Sequence, residues 1–238
     1  MIMAYKKISV NEVYQKVLAL ANKEQRGYIT PQEFNLFADQ AQLEIFENYF
    51  YDLNIARLKP KNNTDTSDEI EMLNEKISIH RNVSGSISKA SDEYALPADL
   101  YSLTSVYFTN NGLPVNIPEV DRVELDSILH NSLSKPILTR PIFTRVDSGG
   151  VEILPSTFAS DVNMRFIERP ASPDWGYVVV NNKALYNVNT STDFDLHPSE
   201  ENDLVFRILE LAGVSMKDQN LTELALRDKA NTKAEKNN

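Results

Sequence analysis

Residues 100–109, LYSLTSVYFT, decide the fold. Aromatic and β-branched side chains crowd these ten positions without a Gly or Pro, the composition of a strand rather than a helix. The same character recurs at 141–146, 151–154, 162–167 and 177–180. The pairs Gly149-Gly150 and Asn181-Asn182 sit between such runs and predict hairpin turns, because both residue types tolerate positive φ. One interruption is expected at 120–132, where Val123, Leu125, Ile128 and Leu129 fall at helical spacing.

On either side of this region the period is helical. Val13, Val17, Leu20 and Ala21 predict a helix over 10–22. Thr30, Pro31 and Glu33 then open a longer one to about residue 55: a capping hydroxyl, a proline in the first turn and an early carboxylate facing the helix dipole. Its apolar stripe runs through Phe34, Phe37, Ala38, Ala41, Ile45, Phe46, Tyr49 and Phe50, wide enough for core or helix–helix packing. Residues 59–68 (KPKNNTDTSD) read as a loop or linker, 68–79 as a short helix carrying Ile70, Leu73 and Ile77, and the serine-rich 81–91 as a mobile loop. Past Pro198, Ser199 is expected to cap a helix that buries Leu204, Val205, Ile208, Leu209 and Ala212 and stops at Gly213. A last segment with Leu221, Leu224 and Leu226 gives way to a polar tail. The expected fold class is α+β: an N-terminal helical hairpin, a small, mostly antiparallel central sheet, then C-terminal helices and an extended tail. Boundaries follow at 1–58, 59–93, 94–198 and 199–238.

The 42% of hydrophobic residues can build a core, and the 10 Tyr and 10 Phe exceed what a disordered chain carries. With 0 cysteines, disulfides, thiolate zinc sites, iron–sulfur clusters and cysteine nucleophiles are excluded. The net charge of -10 with dispersed Lys and Arg opposes a broad nucleic-acid surface, although an acidic wall suits a path along which DNA slides. The opening MIMAYKKISV lacks the apolar run of a signal peptide, and no stretch approaches the roughly 20 apolar residues that cross a bilayer. A soluble protein without a membrane partner is expected.

Candidate chemistry is sparse. Asn22 to Glu33 (NKEQRGYITPQE) matches an EF-hand loop at Gly27, Ile29 and Glu33. The match fails at Asn22, where Asp is usual, and at Arg26, a cation where calcium needs an oxygen. A helix–turn–helix corner is the better reading, with a calcium-binding module as the alternative. His80, His130 and His197 have no ligand spacing between them and read as surface or loop histidines. Ser86 and Ser88 lie near His80 without a GxSxG elbow. The carboxylate pairs Asp92-Glu93 and Glu200-Glu201 suit turns and helix starts. The 7 glycines form neither GxGxxG nor a P-loop. No catalytic residue, metal ligand or cofactor site is nominated, and the chain is expected not to be an enzyme.

Trp175, the single tryptophan, sits in RPASPDWGYVV, a stiff approach to a strand. It is read as locking a loop onto the sheet or as touching a neighbouring chain, with Tyr177 expected on the opposite face.

Several segments taken in order resemble a known family. YALPADLYSLTSVY (94–107) is similar to the "LP-x-D" strand entry of ring-forming head–tail connector proteins of short-tailed phages. Residues 135–170 resemble the β-rich body of those proteins, followed by PDWGYVV and by the strand, acidic cap, helix and glycine of 193–221. The N-terminal VNEVYQKVLALANKEQRGYITPQEFNLFADQAQLEIFENYF looks like structural proteins of crAss-like phages, which infect gut Bacteroidales. The resemblance implies a virion protein, made in the bacterial cytoplasm, forming a twelvefold ring as portal adaptor or neck or tail ring. Its partners would be copies of itself, the portal and adjoining rings, with packaged DNA passing through the channel without sequence-specific contact. Subunit contacts are then expected at Phe34, Phe37, Phe46 and Phe50, at Trp175 and Tyr177, and at Leu221 and Leu224. A phage protein outside the virion that binds a host factor is a further alternative.

Overall fold

The computed structural model describes residues 6–23, 29–59, 64–90, 92–146 and 149–215. The fold is α+β, with five α-helices and antiparallel sheets among these residues. The chain divides into two compact units, 80–169 and the combination of 1–79 with 170–238. This differs from the four consecutive regions expected, because the chain leaves the helices, builds the sheets and then returns.

In the helical unit, α1 (Val10–Lys23), α2 (Pro31–Leu58), α3 (Thr64–Ser78) and α5 (Glu201–Ser215) pack together, α5 against α1 and α2, and α3 against α2. The start of α2 is a full capping box: Thr30 Oγ1 accepts the Glu33 N–H, and the Glu33 carboxylate accepts the Thr30 N–H at 2.9 Å. The Thr30 N–H and the Thr30 hydroxyl, both donating to the carboxylate, hold the Glu33 carboxyl below its ordinary value of 4.5. Of the predicted stripe, Phe34, Ala38, Ala41, Ile45, Phe46 and Tyr49 are buried, and Leu53 beyond it is buried as well. Helix α3 starts four residues earlier than expected, and a Lys59–Glu69 ion pair at 2.9 Å ties it to the end of α2.

Helix α5 departs from the expected bounds at both ends. His197, not Ser199, caps a short 3-10 turn at Pro198–Glu200, since Pro198 fits a first helical position and leaves the preceding residue as cap. The helix then runs through Gly213, which is buried, to Ser215. Residues 170–198 belong to this unit: Ile8 bridges Phe194, and Gln42 donates to Ala171 O while accepting the Asp195 N–H.

The sheet unit holds two antiparallel sheets where one was expected. One has the order β1 (Arg81–Val83), β7 (Val162–Glu168), β3 (Leu100–Asn110) and β4 (Leu113–Ile117); the other β2 (Glu93–Ala95), β6 (Gly150–Leu154) and β5 (Ile142–Val146). Tyr94, Val106, Phe108, Phe143, Val151, Ile153, Phe158 and Met164, drawn from both, share one core. The serine-rich 81–91 is partly strand: β1 pairs with β7, and Ile87 bridges Val162. Asn111 and Gly112, with φ of 50° and 81°, make the β3–β4 turn.

Candidate functional site

The aromatic residues of the helical unit converge on Trp175. Its ring lies 4.6 Å from Tyr14 of α1, which lies 4.6 Å from Phe34 of α2. Its indole N–H donates to Asn11 Oδ1 at 3.0 Å, and its backbone N–H to Asn35 Oδ1 at 2.9 Å. Asn35 in turn donates to Asp174. Immediately beyond, β8 (Tyr177–Val180) and β9 (Lys183–Tyr186) form a two-stranded hairpin, turned by Asn181 and Asn182 at φ of 50° and 60°. Tyr177 and Tyr186 are cross-strand partners, and their rings lie 5.9 and 5.7 Å from the indole. Trp175 and Tyr177 are therefore stacked on one side, not on opposite faces, as residues two apart in an extended chain share a face. Gly176 fits the root because a Cβ there would lie 2.2 Å from Thr190 Oγ1.

Above this root the hairpin is bare. Its strands pair with no other strand among the described residues. Val178 and Leu185 face each other across the ladder, as do Val180 and Lys183, while Val179 points to the other face beside Ala184. Val178, Val179, Val180 and Leu185 are all exposed, Val179 by 65%. Two strands alone are marginally stable in water, and the aromatic root is where this hairpin packs on the unit.

The sheet unit carries a second apolar surface. Helix α4 (Arg122–His130) is capped by Asp121, whose carboxylate accepts the Val123 N–H at 3.1 Å, yet none of its side chains is fully buried. Leu125, Ile128 and Leu129 are half-buried, but Val123 is 86% exposed. The following segment exposes Leu133, Ile137 and Leu138 as well, held by an Arg140 guanidinium bond to Leu133 O at 3.0 Å. Composition hides this surface, since its apolar residues match the helical period that normally marks a core face.

No protein-family model and no curated protein matches this chain.

The expected contact residues divide by burial. Phe34, Phe46 and Trp175 (3% exposed) are packed into the helical unit's own core, so their rings are engaged within the chain and not on its surface. Phe37, Phe50 and Tyr177 are half-buried. Leu221 and Leu224 lie outside the described residues. Trp175 thus locks a loop, as one of its two readings has it, but onto helices rather than onto the central sheet.

Polar groups that attract a chemical reading have structural partners. Lys89 pairs with Asp92 at 2.8 Å, Lys16 with Glu201 at 2.6 Å, and Lys76 with the buried Glu200. Lys76 also lies over the Tyr49 ring, 5.7 Å from its centre. Burial, then the Glu200 and Asp203 carboxylates, push the Tyr49 phenol far above its usual range. His80 is buried rather than at the surface, His130 donates to Asp126 O at 2.7 Å, and His197 Nδ1 accepts the Ser199 N–H at 3.2 Å. Ser86 donates to Asp161 at 3.2 Å. The carboxylate that an EF-hand needs at its twelfth place, Glu33, is committed to the Thr30 cap. Among the described residues no group of three or more His, Asp or Glu side chains is placed to hold a metal ion, and no helix is long and apolar enough to cross a membrane.

Proposed function

We propose that this chain is a structural protein that assembles with copies of itself into a ring, in the head–tail connector of a short-tailed bacteriophage. The observation that carries the self-assembly is a pair of unlike exposed apolar surfaces, the β8–β9 arm on one unit and the α4 surface on the other. Large apolar side chains left exposed together suggest an interface, and two different sets on one chain favour head-to-tail contacts. Such contacts close into rings when the rotation per copy divides a full turn. The phage setting draws on the order of segments that resembles head–tail connector proteins. The charge of -10 agrees with it, because a channel wall of net negative charge repels packaged DNA and lets it slide. No catalytic step enters this role.

Light scattering and negative-stain microscopy of the purified chain, alone and mixed with its portal protein, test the proposal. Rings that stack coaxially on the portal are expected. A chain that stays monomeric in both conditions, and is missing from purified virions by mass spectrometry, overturns it.

A further inference from the structure

We propose that Asn111, at the tip of the β3–β4 hairpin, is a site of spontaneous covalent modification, losing its side-chain amide to attack by the Gly112 backbone nitrogen. This inference is independent of the assembly reading. Asn111-Gly112 is the one Asn-Gly pair in the 238 residues. Glycine matters because the attacking nitrogen must reach the carboxamide carbon, and a Cβ on the following residue crowds that approach. Both residues are exposed, and the space around Gly112 is open. The last ladder pair is Asn110 with Leu113, so the peptide joining Asn111 to Gly112 lies beyond the ladder. Asn111 and Gly112 sit at φ of 50° and 81°, a closed hairpin turn, and ring closure requires rotation about the Asn111 Cα–C bond. β4 is an edge strand of its sheet, so the turn can open for that rotation by local fraying, without unfolding the unit.

The step balances with water alone. The Gly112 nitrogen gives its proton to solvent and bonds to Asn111 Cγ; the Cγ–Nδ2 bond breaks, ammonia leaves, and a cyclic imide remains. Water then opens either carbonyl of the imide. One opening leaves aspartate, and the other leaves isoaspartate, whose backbone runs through the former side chain. Each product adds a carboxylate to a chain of net charge -10. Isoaspartate also lengthens the connection between Asn110 and Leu113, so their pairing no longer fits the turn.

The β8–β9 hairpin is an internal control. Asn181 and Asn182 are likewise exposed at positive φ, but the residues that follow them, Asn182 and Lys183, each carry a Cβ. Asn131, followed by Ser132, is exposed too, yet its side-chain oxygen is held by the Leu133 N–H at 3.0 Å.

The purified chain is aged in mildly alkaline buffer, and its peptides are mapped by mass spectrometry with isoaspartyl methyltransferase labelling. Expected is amide loss at Asn111, with isoaspartate among the products, ahead of any loss at Asn131, Asn181 or Asn182. The intact chain should shift to a more acidic form on ion exchange. Asn111→Gln should abolish that shift, and Gly112→Ala should slow it. An Asn111 that stays intact under conditions that convert a free peptide of residues 106–117 would show that the closed turn protects it, and overturns the proposal. Amide loss that appears first at another asparagine, or aspartate at position 111 without isoaspartate, overturns it as well.

Discussion

Two hairpins in this molecule are written in nearly the same code and meet opposite fates. β5–β6 and β8–β9 are each a pair of four- or five-residue strands rich in aliphatic and aromatic side chains, each with a positive-φ residue in its turn. Phe143 and Ile153 of the first are cross-strand partners and almost fully buried, under Tyr94 and Phe158. Val178 and Leu185 of the second are cross-strand partners and exposed. β-Propensity sets the local form, while a third strand and a covering layer decide burial. The first hairpin has both; the second has only an aromatic root. The same chemistry that makes a core in one place is left exposed in the other.

The largest contrast is in stability. Ile153→Ala is expected to cost about 2–5 kcal/mol, since it opens a cavity under a residue 1% exposed. Leu185→Ala, at a residue 50% exposed, is expected to change stability by no more than about 0.5 kcal/mol while weakening assembly. Urea unfolding followed by circular dichroism measures both. Equal costs would mean that the arm is covered within the chain, and the comparison would break.

The turns give a smaller contrast. Gly149 and Asn182 sit at φ of 81° and 60°, where a β-branched side chain costs roughly 1–2 kcal/mol. Gly149→Val should lower the unfolding midpoint of the sheet unit, because the β5–β6 register there fixes which side chains reach the core. Asn182→Val should leave the midpoint unchanged and speed amide exchange only within the arm, where opening is local. Hydrogen exchange read segment by segment separates the two. A shared global effect would show that the arm unfolds with the body.

Local signals were legible and long-range ones were not. The helix start at Thr30, the strands after residue 100 and the Asn181-Asn182 turn all rest on neighbours in sequence, so composition and spacing found them. Asn111-Gly112 carried the same turn signal and would have revealed β4 had it been read. The return of 170–198 to the helices depends on Gln42 bonding Ala171 and Asp195, a pairing that no periodic pattern announces. Burial was hard to read for a related reason. Phe34, Phe46 and Trp175 are large and apolar, but the fold consumes them, whereas the valines of β8 look like any buried strand. One signal could have redirected attention: no third strand run lies beside this hairpin.

The smallest expected effect concerns how thoroughly the covered hairpin excludes water. Tyr94, paired with Val151 in the β2–β6 ladder, donates its hydroxyl to Ser160 O at 3.0 Å. Burial first, and the Asp161 carboxylate second, raise this phenol above its ordinary value of 10.0. A raised folded value means that the native state holds the proton more tightly than the unfolded chain. The contribution is complete below pH 10 and declines as pH climbs from there through the folded value. Tyr94→Phe removes the titrating group, so its stability deficit against wild type, about 1 kcal/mol near neutrality from the lost hydrogen bond, should shrink as pH rises past 10. The comparison should be made in a Tyr49→Phe background, because the buried Tyr49 phenol is shifted the same way in the other unit. A deficit that stays constant across that range would mean that water reaches Tyr94 in the native state, and the covered hairpin would then differ from the bare one in degree rather than in kind.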